Sequence, residues 1–127
     1  MIPDDLQYRL LDHASEGCQV ISPDFRYLYV NEAGAAQGHN TREQLLGRTM
    51  MEVYPGIEVT EMFSVMRQCT EQRRAQRMEN EFFFPDGSRG WFALKFVPIP
   101  EGVAIFSLDI TGQKHASAVV EEERKDL

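Results

Sequence analysis

The sequence predicts a single α+β domain in which helices cover one face of a five-stranded antiparallel sheet. Three observations predict it. Segments of period-2 alternation come as a pair and then a trio, with helical segments between the groups. The joins inside each group are short and rich in turn residues. The longest helical segment carries one apolar stripe, which needs a sheet to cover it. At 127 residues the chain can bury a core without the metals or disulfides that become necessary below about 40 residues.

Residues 3–15 read as a short amphipathic helix with Leu6, Leu10 and Leu11 on one side. The first two strands, 17–22 and 25–31, are joined by Ser22-Pro23-Asp24, and residues 43–46 read as helix. In the long helix over 57–75, Val59, Met62, Phe63, Met66 and Cys69 recur at steps of three and four and so share a face. The remaining strands are 79–84, 90–97 and 102–110, separated by Pro85-Asp86-Gly87 and by Pro98-Ile99-Pro100-Glu101-Gly102, both hairpin signals. Phe92, Leu94 and Phe96 alternate with Ala93 and Lys95. In the last strand Ala104, Phe106 and Leu108 face one way and Val103 and Ile105 the other, so it is apolar on both sides and belongs in the centre of the sheet. Thr111 reads as the N-cap of a closing helix. Ala116, Val120 and Leu127 sit there at heptad-compatible steps, with Glu123 where another apolar residue belongs, a short and weak coiled-coil pattern. The expected division is a flanking helix over 1–15, a core over 16–111 and the start of a linker helix over 112–127.

Thirteen Lys plus Arg against twenty Asp plus Glu leave a net charge of −7 and no basic tract. That argues against nucleic acid or an anionic membrane as partner, since both need clustered cations to displace counterions. Apolar stretches such as 96–100 and 102–108 are far shorter than the ~20 residues that span a bilayer. The start, Met1-Ile2-Pro3-Asp4-Asp5, resembles no signal or transit peptide. Cys18 and Cys69 have no paired spacing, so neither a disulfide framework nor a zinc knuckle is expected, and a cytoplasmic, reducing location is. Small molecules and proteins remain as partners.

Catalytic patterns are scarce. His13, His39 and His115 fall outside the strands, and the chain has no Gly-x-Ser-x-Gly elbow, phosphate loop or His-Glu-x-x-His pair. Cys69 on the apolar helix face is the one reactive group pointing inward, although free cysteines are usually small buried hydrophobes. The same choice between pocket wall and core packing applies to Met62 and Met66, and to Trp91 and Phe82-Phe83-Phe84, which offer stacking surfaces.

Six ordered motifs resemble those of the PAS domains, the α/β sensor modules of bacterial signalling proteins. Tyr27-Leu28-Tyr29-Val30-Asn31-Glu32-Ala33 is similar to the second strand and the Asn-x-Ala after it. Thr41-Arg42-Glu43-Gln44-Leu45-Leu46-Gly47-Arg48 and Val53-Tyr54-Pro55-Gly56 are similar to the helical stretch and to the approach to the long helix. Asp86-Gly87-Ser88-Arg89-Gly90-Trp91-Phe92, Pro98-Ile99-Pro100-Glu101-Gly102-Val103 and Asp109-Ile110-Thr111-Gly112-Gln113-Lys114 are similar to the loop before the fourth strand, the last hairpin and the closing Asp-Ile-Thr-x-x-Lys signature. The likeness covers about residues 8–115.

The resemblance implies strand order 2-1-5-4-3, no catalysis by the domain itself, and a sensory input module that dimerises through flanking helices and signals through its C-terminal helix to an output domain. A sensor histidine kinase is the first expectation for that output. Ligand-pocket candidates are Met62, Met66, Cys69, Phe92, Leu94 and Phe106, around a small apolar ligand. Asp109, holding a basic partner, and Thr111, capping the last helix, are the candidates for signal transmission. The cofactor stays unidentified. The flavin-cysteine motif of light sensors is replaced by Gly56-Ile57-Glu58-Val59-Thr60-Glu61, residues 57–75 offer no histidine to a haem, and only Trp91 matches a position used by redox flavin sensors. His115, followed by Ala116-Ser117-Ala118, does not match a phosphoacceptor box, and the end at Leu127 suggests a sensor cut from a longer protein. Two alternatives remain: a ligand-free interaction module, and a small α+β enzyme or carrier using Tyr27, Tyr29 or Cys69 in an apolar cavity.

Overall fold

A computed structural model of the chain describes residues 15–125. The helix expected over 3–15 falls, apart from Ser15, outside them, as does Leu127. Five strands, β1 (Gly17–Ile21), β2 (Tyr27–Val30), β3 (Gln76–Phe83), β4 (Arg89–Ile99) and β5 (Gly102–Asp109), form one sheet in the order β2-β1-β5-β4-β3, with every adjacent pair antiparallel. β5 is central, as its two apolar faces require, and Ile105 lies opposite Gln19 on one side and Phe96 on the other. Between β2 and β3 come α1 (Glu32–Gln37), α2 (Arg42–Leu45), α3 (Met50–Val53), a 3-10 turn (Ile57–Val59) and α4 (Glu61–Gln72), and α5 (Thr111–Lys125) follows β5.

The main core lies between these helices and the sheet. Ile21, Val30, Met50, Met66, Phe96 and Ile105 are almost fully buried there, and each side chain of this size is worth about 1.5–3 kcal/mol when removed from water. A smaller cluster of Cys18, Val20 and Tyr29, joined by Leu28, Ile99 and Phe106, covers part of the opposite face.

Local chemistry sets the helix ends. α2 and α3 have four residues each, too few to display a 3.6-residue period, and are fixed by capping boxes, Thr41 with Gln44 and Thr49 with Glu52. α1, with six residues, is also under two turns, and periodicity reveals neither it nor α3. The long helix is shorter than the expected 57–75. Gly56, at φ 93°, turns the chain into the 3-10 segment, the Thr60 hydroxyl accepts from the Phe63 amide (3.3 Å) to start α4, and Arg73 at φ 53° ends it. Val59, expected on the buried stripe, is consequently 85% exposed, whereas Met62, Phe63, Met66 and Cys69 are buried.

One polar side chain ties the start of β1 to the end of β2 and to α1. Asn31 is fully buried; its Oδ1 accepts from the amides of Cys18 (2.9 Å) and Gly34 (2.8 Å), and its Nδ2 donates to the Glu16 carbonyl (3.0 Å). At the other end of the domain, residues 115–124 of α5 are exposed, Val119 and Val120 among them. No helix among the described residues is long and apolar enough to cross a membrane.

Candidate functional site

The strands present two chemically different faces. On the helix-covered side β1 contributes Gln19, β3 contributes Asn80, Phe82 and Phe84 follows that strand, β4 contributes Phe92 and Leu94, and β5 contributes Ser107. Polar groups thus interrupt the apolar phase of three strands, and a cavity of about 70 Å³ lies above them. Tyr27, Gln37, Gly38, Leu45, Met50, Tyr54, Ile57 and Met62 complete its wall from β2 and the helical segment. Among the described residues, no charged side chain lines it.

The aromatic part of the wall is mutually braced. Tyr54 meets Phe82 edge-on at 5.2 Å, Phe82 meets Phe84 at 5.0 Å, and Phe84 meets Phe92 at 6.4 Å. His39 stacks on Phe84 with centroids 3.8 Å apart and holds Nδ1 3.7 Å from Asp86, laying the loop after α1 over the β3–β4 turn. The Tyr54 hydroxyl donates to the Gly38 carbonyl (2.8 Å) and accepts from Asn40 Nδ2 (2.8 Å). A Cβ at residue 38 would overlap that hydroxyl, so glycine is required by this approach.

Gln37 and Ser107 are bonded to each other. Gln37 Nε2 donates to the Ser107 carbonyl (3.1 Å) and Ser107 Oγ donates to Gln37 Oε1 (2.5 Å). Gln19 differs: its Oε1 is buried and has no hydrogen-bond partner among the described residues. Burial, with Tyr54 nearby, pushes the Tyr27 hydroxyl far above the usual phenol range; burial also raises Tyr54, partly offset by the bond from Asn40. Both phenols therefore stay neutral around pH 7. Among the described residues the wall offers hydrogen bonds and flat apolar faces, but no base and no anion.

Three of the six expected pocket residues, Met62, Phe92 and Leu94, line this cavity. Met66 instead lines a separate groove of about 450 Å³ with Phe25, Phe63 and Val103. Cys69 is fully buried in the core and lines neither space. Phe106 is a correction. The pairing of Gly17 with Ser107 and Gln19 with Ile105 gives Val103, Ile105 and Ser107 the helix-covered face, which sends Phe106 to the opposite cluster with Cys18 and Val20. Trp91 likewise stays off the cavity, with the Lys114 ammonium 4.8 Å from its ring centroid. Of the three groups considered for catalysis, Tyr27 reaches the cavity and Tyr29 and Cys69 do not. Gln19, Gln37, Tyr54, Asn80 and Ser107 were missed by sequence reasoning.

Asp109 and Thr111 meet at the junction of sheet and last helix, with roles other than those expected. The Asp109 carboxylate accepts from the Thr111 amide (2.9 Å), which occupies one of the unpaired donors at the start of α5, and it holds no basic partner among the described residues. The Thr111 hydroxyl caps nothing. It accepts from the Trp91 amide (3.0 Å), while the Ile110 amide donates to the Trp91 carbonyl (2.9 Å). Lys114 completes the junction by pairing with Glu79 at 2.5 Å. α5 is thereby fastened to β3 and β4, two of the strands that line the cavity.

Burial also decides the thiols. Desolvation, with Glu16 nearby, pushes Cys18 up to about 11, and desolvation raises Cys69 despite the attraction of Arg73. At pH 8 this leaves Cys18 about 100-fold less thiolate than an ordinary thiol. A disulfide reagent is expected to label the native chain at least about 50-fold more slowly than the urea-unfolded chain; rapid native labelling of either cysteine contradicts their placement.

Comparison with known proteins agrees with this geometry. The family described as PAS fold matches residues 11–115. No curated protein matches the chain in sequence. Among solved structures, the PAS domain of a protein from Colwellia psychrerythraea superposes with TM-score 0.69 at 20% identity, covering 86% of this chain and 99% of that one. A PAS domain from a two-component sensor histidine kinase gives 0.62 at 16% identity, covering 83% and 94%. An RNA-binding light-oxygen-voltage receptor gives 0.72 at 20% identity over 98% of this chain, which spans 39% of that receptor.

Proposed function

The chain belongs to the PAS-fold family, and from that premise we propose that it is the ligand-sensing and dimerising input module of a signal-transduction protein, a sensor histidine kinase in the first instance. The observation that carries this reading is a cavity with convergent polar groups whose floor strands β3 and β4 are bonded directly to α5. Occupancy of the cavity changes the spacing of these strands, and the Trp91–Thr111 and Glu79–Lys114 contacts pass that change to the helix. The exposed Val119 and Val120 give α5 an apolar strip for a second copy. The histidine-kinase neighbour supports the choice of output.

The domain itself is read as non-catalytic. Ser107 Oγ is spent on Gln37, the two phenols are held neutral, and among the described residues the cavity wall has no histidine or carboxylate to act as base. The net charge of −7 speaks against this domain contacting nucleic acid; RNA binding is a property of the neighbouring receptor named above.

Joining α5 in helical register to a histidine-kinase core tests the reading. Insertions of one to four residues at the join are expected to make autophosphorylation rise and fall with the helical period of 3.6 residues. Activity insensitive to register, together with a monomeric chain at high concentration, contradicts it.

A further inference from the structure

Within that reading, on which this inference rests, we propose that Gln19 is the specificity determinant of the cavity, selecting compact uncharged ligands that present a donor beside an acceptor, as the edge of a lactam, carboxamide or hydroxy-azine does. Gln19 Oε1 is buried without a hydrogen-bond partner, and no other buried side-chain oxygen or nitrogen among the described residues is in that position. A buried carbonyl left unpaired is costly, so a ligand toward which the Gln19 amide turns, and whose donor completes Oε1, binds with an advantage that an apolar molecule lacks. A primary amide offers one acceptor and one donor side by side, and its natural complement carries the same pair reversed.

The rest of the wall narrows the class. Gln37 and Ser107 are occupied with each other and Tyr54 with Gly38 and Asn40, which leaves Gln19, with the Tyr27 hydroxyl and the Asn80 amide on the same wall, to face a ligand. Phe82, Phe84 and Phe92 present ring surfaces to a flat body. Charged ligands are disfavoured because no lining side chain among the described residues can neutralise them. Size is restricted too. The cavity measures about 70 Å³, roughly half of the ~150 Å³ that accommodates benzene in a dry protein cavity. A six-membered ring therefore needs Met50 or Met62 to swing aside, which unbranched thioethers do readily.

The test compares three probes of one ring size on the full chain, 2-pyridone, benzene and benzoate, followed by chemical shifts of cavity-lining residues. The expected result is 2-pyridone binding at least about 10-fold tighter than benzene, the margin of one hydrogen-bonded pair, with no cavity response to benzoate. Q19M, which keeps the side-chain length and removes the amide, is expected to bind 2-pyridone at least about 10-fold more weakly, to keep its affinity for benzene, and to melt at the same or a higher temperature. Q19L, shorter by one atom, serves if Q19M does not fold. Equal affinities of the wild-type chain for 2-pyridone and benzene, undiminished 2-pyridone binding by the variants, or a large fall in their melting temperature overturns the role of Gln19 and leaves the cavity as a sensing site. A cavity that responds to none of the probes at about 10 mM, where a millimolar site is filled, overturns both.

Discussion

Asn31→Ala is expected to lower the unfolding free energy by about 3 kcal/mol and to shift the urea midpoint with little change in slope. The substitution removes the acceptor of two buried amides, Cys18 and Gly34, and the donor to the Glu16 carbonyl. Loss of a helix cap costs about 0.5–2 kcal/mol, and a buried donor left unpaired costs about 1–3 kcal/mol; the two overlap at Gly34, so the sum falls near the middle of the combined range. Asn31→Asp keeps Oδ1 but turns the donor at Glu16 into a repelling oxygen and buries a carboxylate, so it is expected to destabilise as well. Equilibrium unfolding of both variants checks this. A loss below about 0.5 kcal/mol for Asn31→Ala means that Asn31 is not the tie between β1, β2 and α1.

Thr111→Val is expected to loosen α5 without dismantling the sheet. Valine copies the shape of threonine and removes the oxygen that accepts from the Trp91 amide, leaving that amide unpaired at a cost of about 1–2 kcal/mol, or roughly 10-fold in the local opening equilibrium. Amide exchange of Lys114 and His115 is expected to quicken by about that factor, and output from a kinase fusion is expected to lose its response while the far-ultraviolet spectrum is kept. Asp109→Ala acts on the same joint more weakly, since the Thr111 amide it leaves unpaired lies at an exposed helix start. Unaltered exchange at Lys114 in Thr111→Val contradicts the account of the junction.

Much of the sheet was legible because its evidence is periodic. The two-sided apolar pattern of residues 103–108 required a central strand, and the three turn-rich joins required antiparallel neighbours. The cavity was harder to read, for a physical reason. Choosing pocket residues among large apolar side chains cannot tell wall from core, and on a strand apolar on both faces size does not say which face meets the helices. Phe106 is bulky yet faces away. The better signal is a polar residue at the buried phase of a strand, such as Gln19 in step with Gly17 and Ile21, Ser107 with Val103 and Ile105, and Asn80 with Phe82 and Phe84. Such a residue keeps its place by hydrogen bonding across the core or to something held in it. Position likewise misled at Thr111. Its place before a helix suggested a cap, whereas the strand end brings its hydroxyl to the Trp91 amide first.

Hydrogen exchange at α5 reports whether the cavity and α5 move as one mechanical unit. The amides of Lys114 to Ala118 should be followed with the cavity unfilled and with it filled, by 2-pyridone or by xenon under pressure, which enters small apolar cavities. Filling is expected to change exchange in these amides by about 3-fold or more, alongside the changes in β3 and β4, as a single mechanical unit requires. Changes confined to the cavity walls, with α5 unmoved, would contradict it.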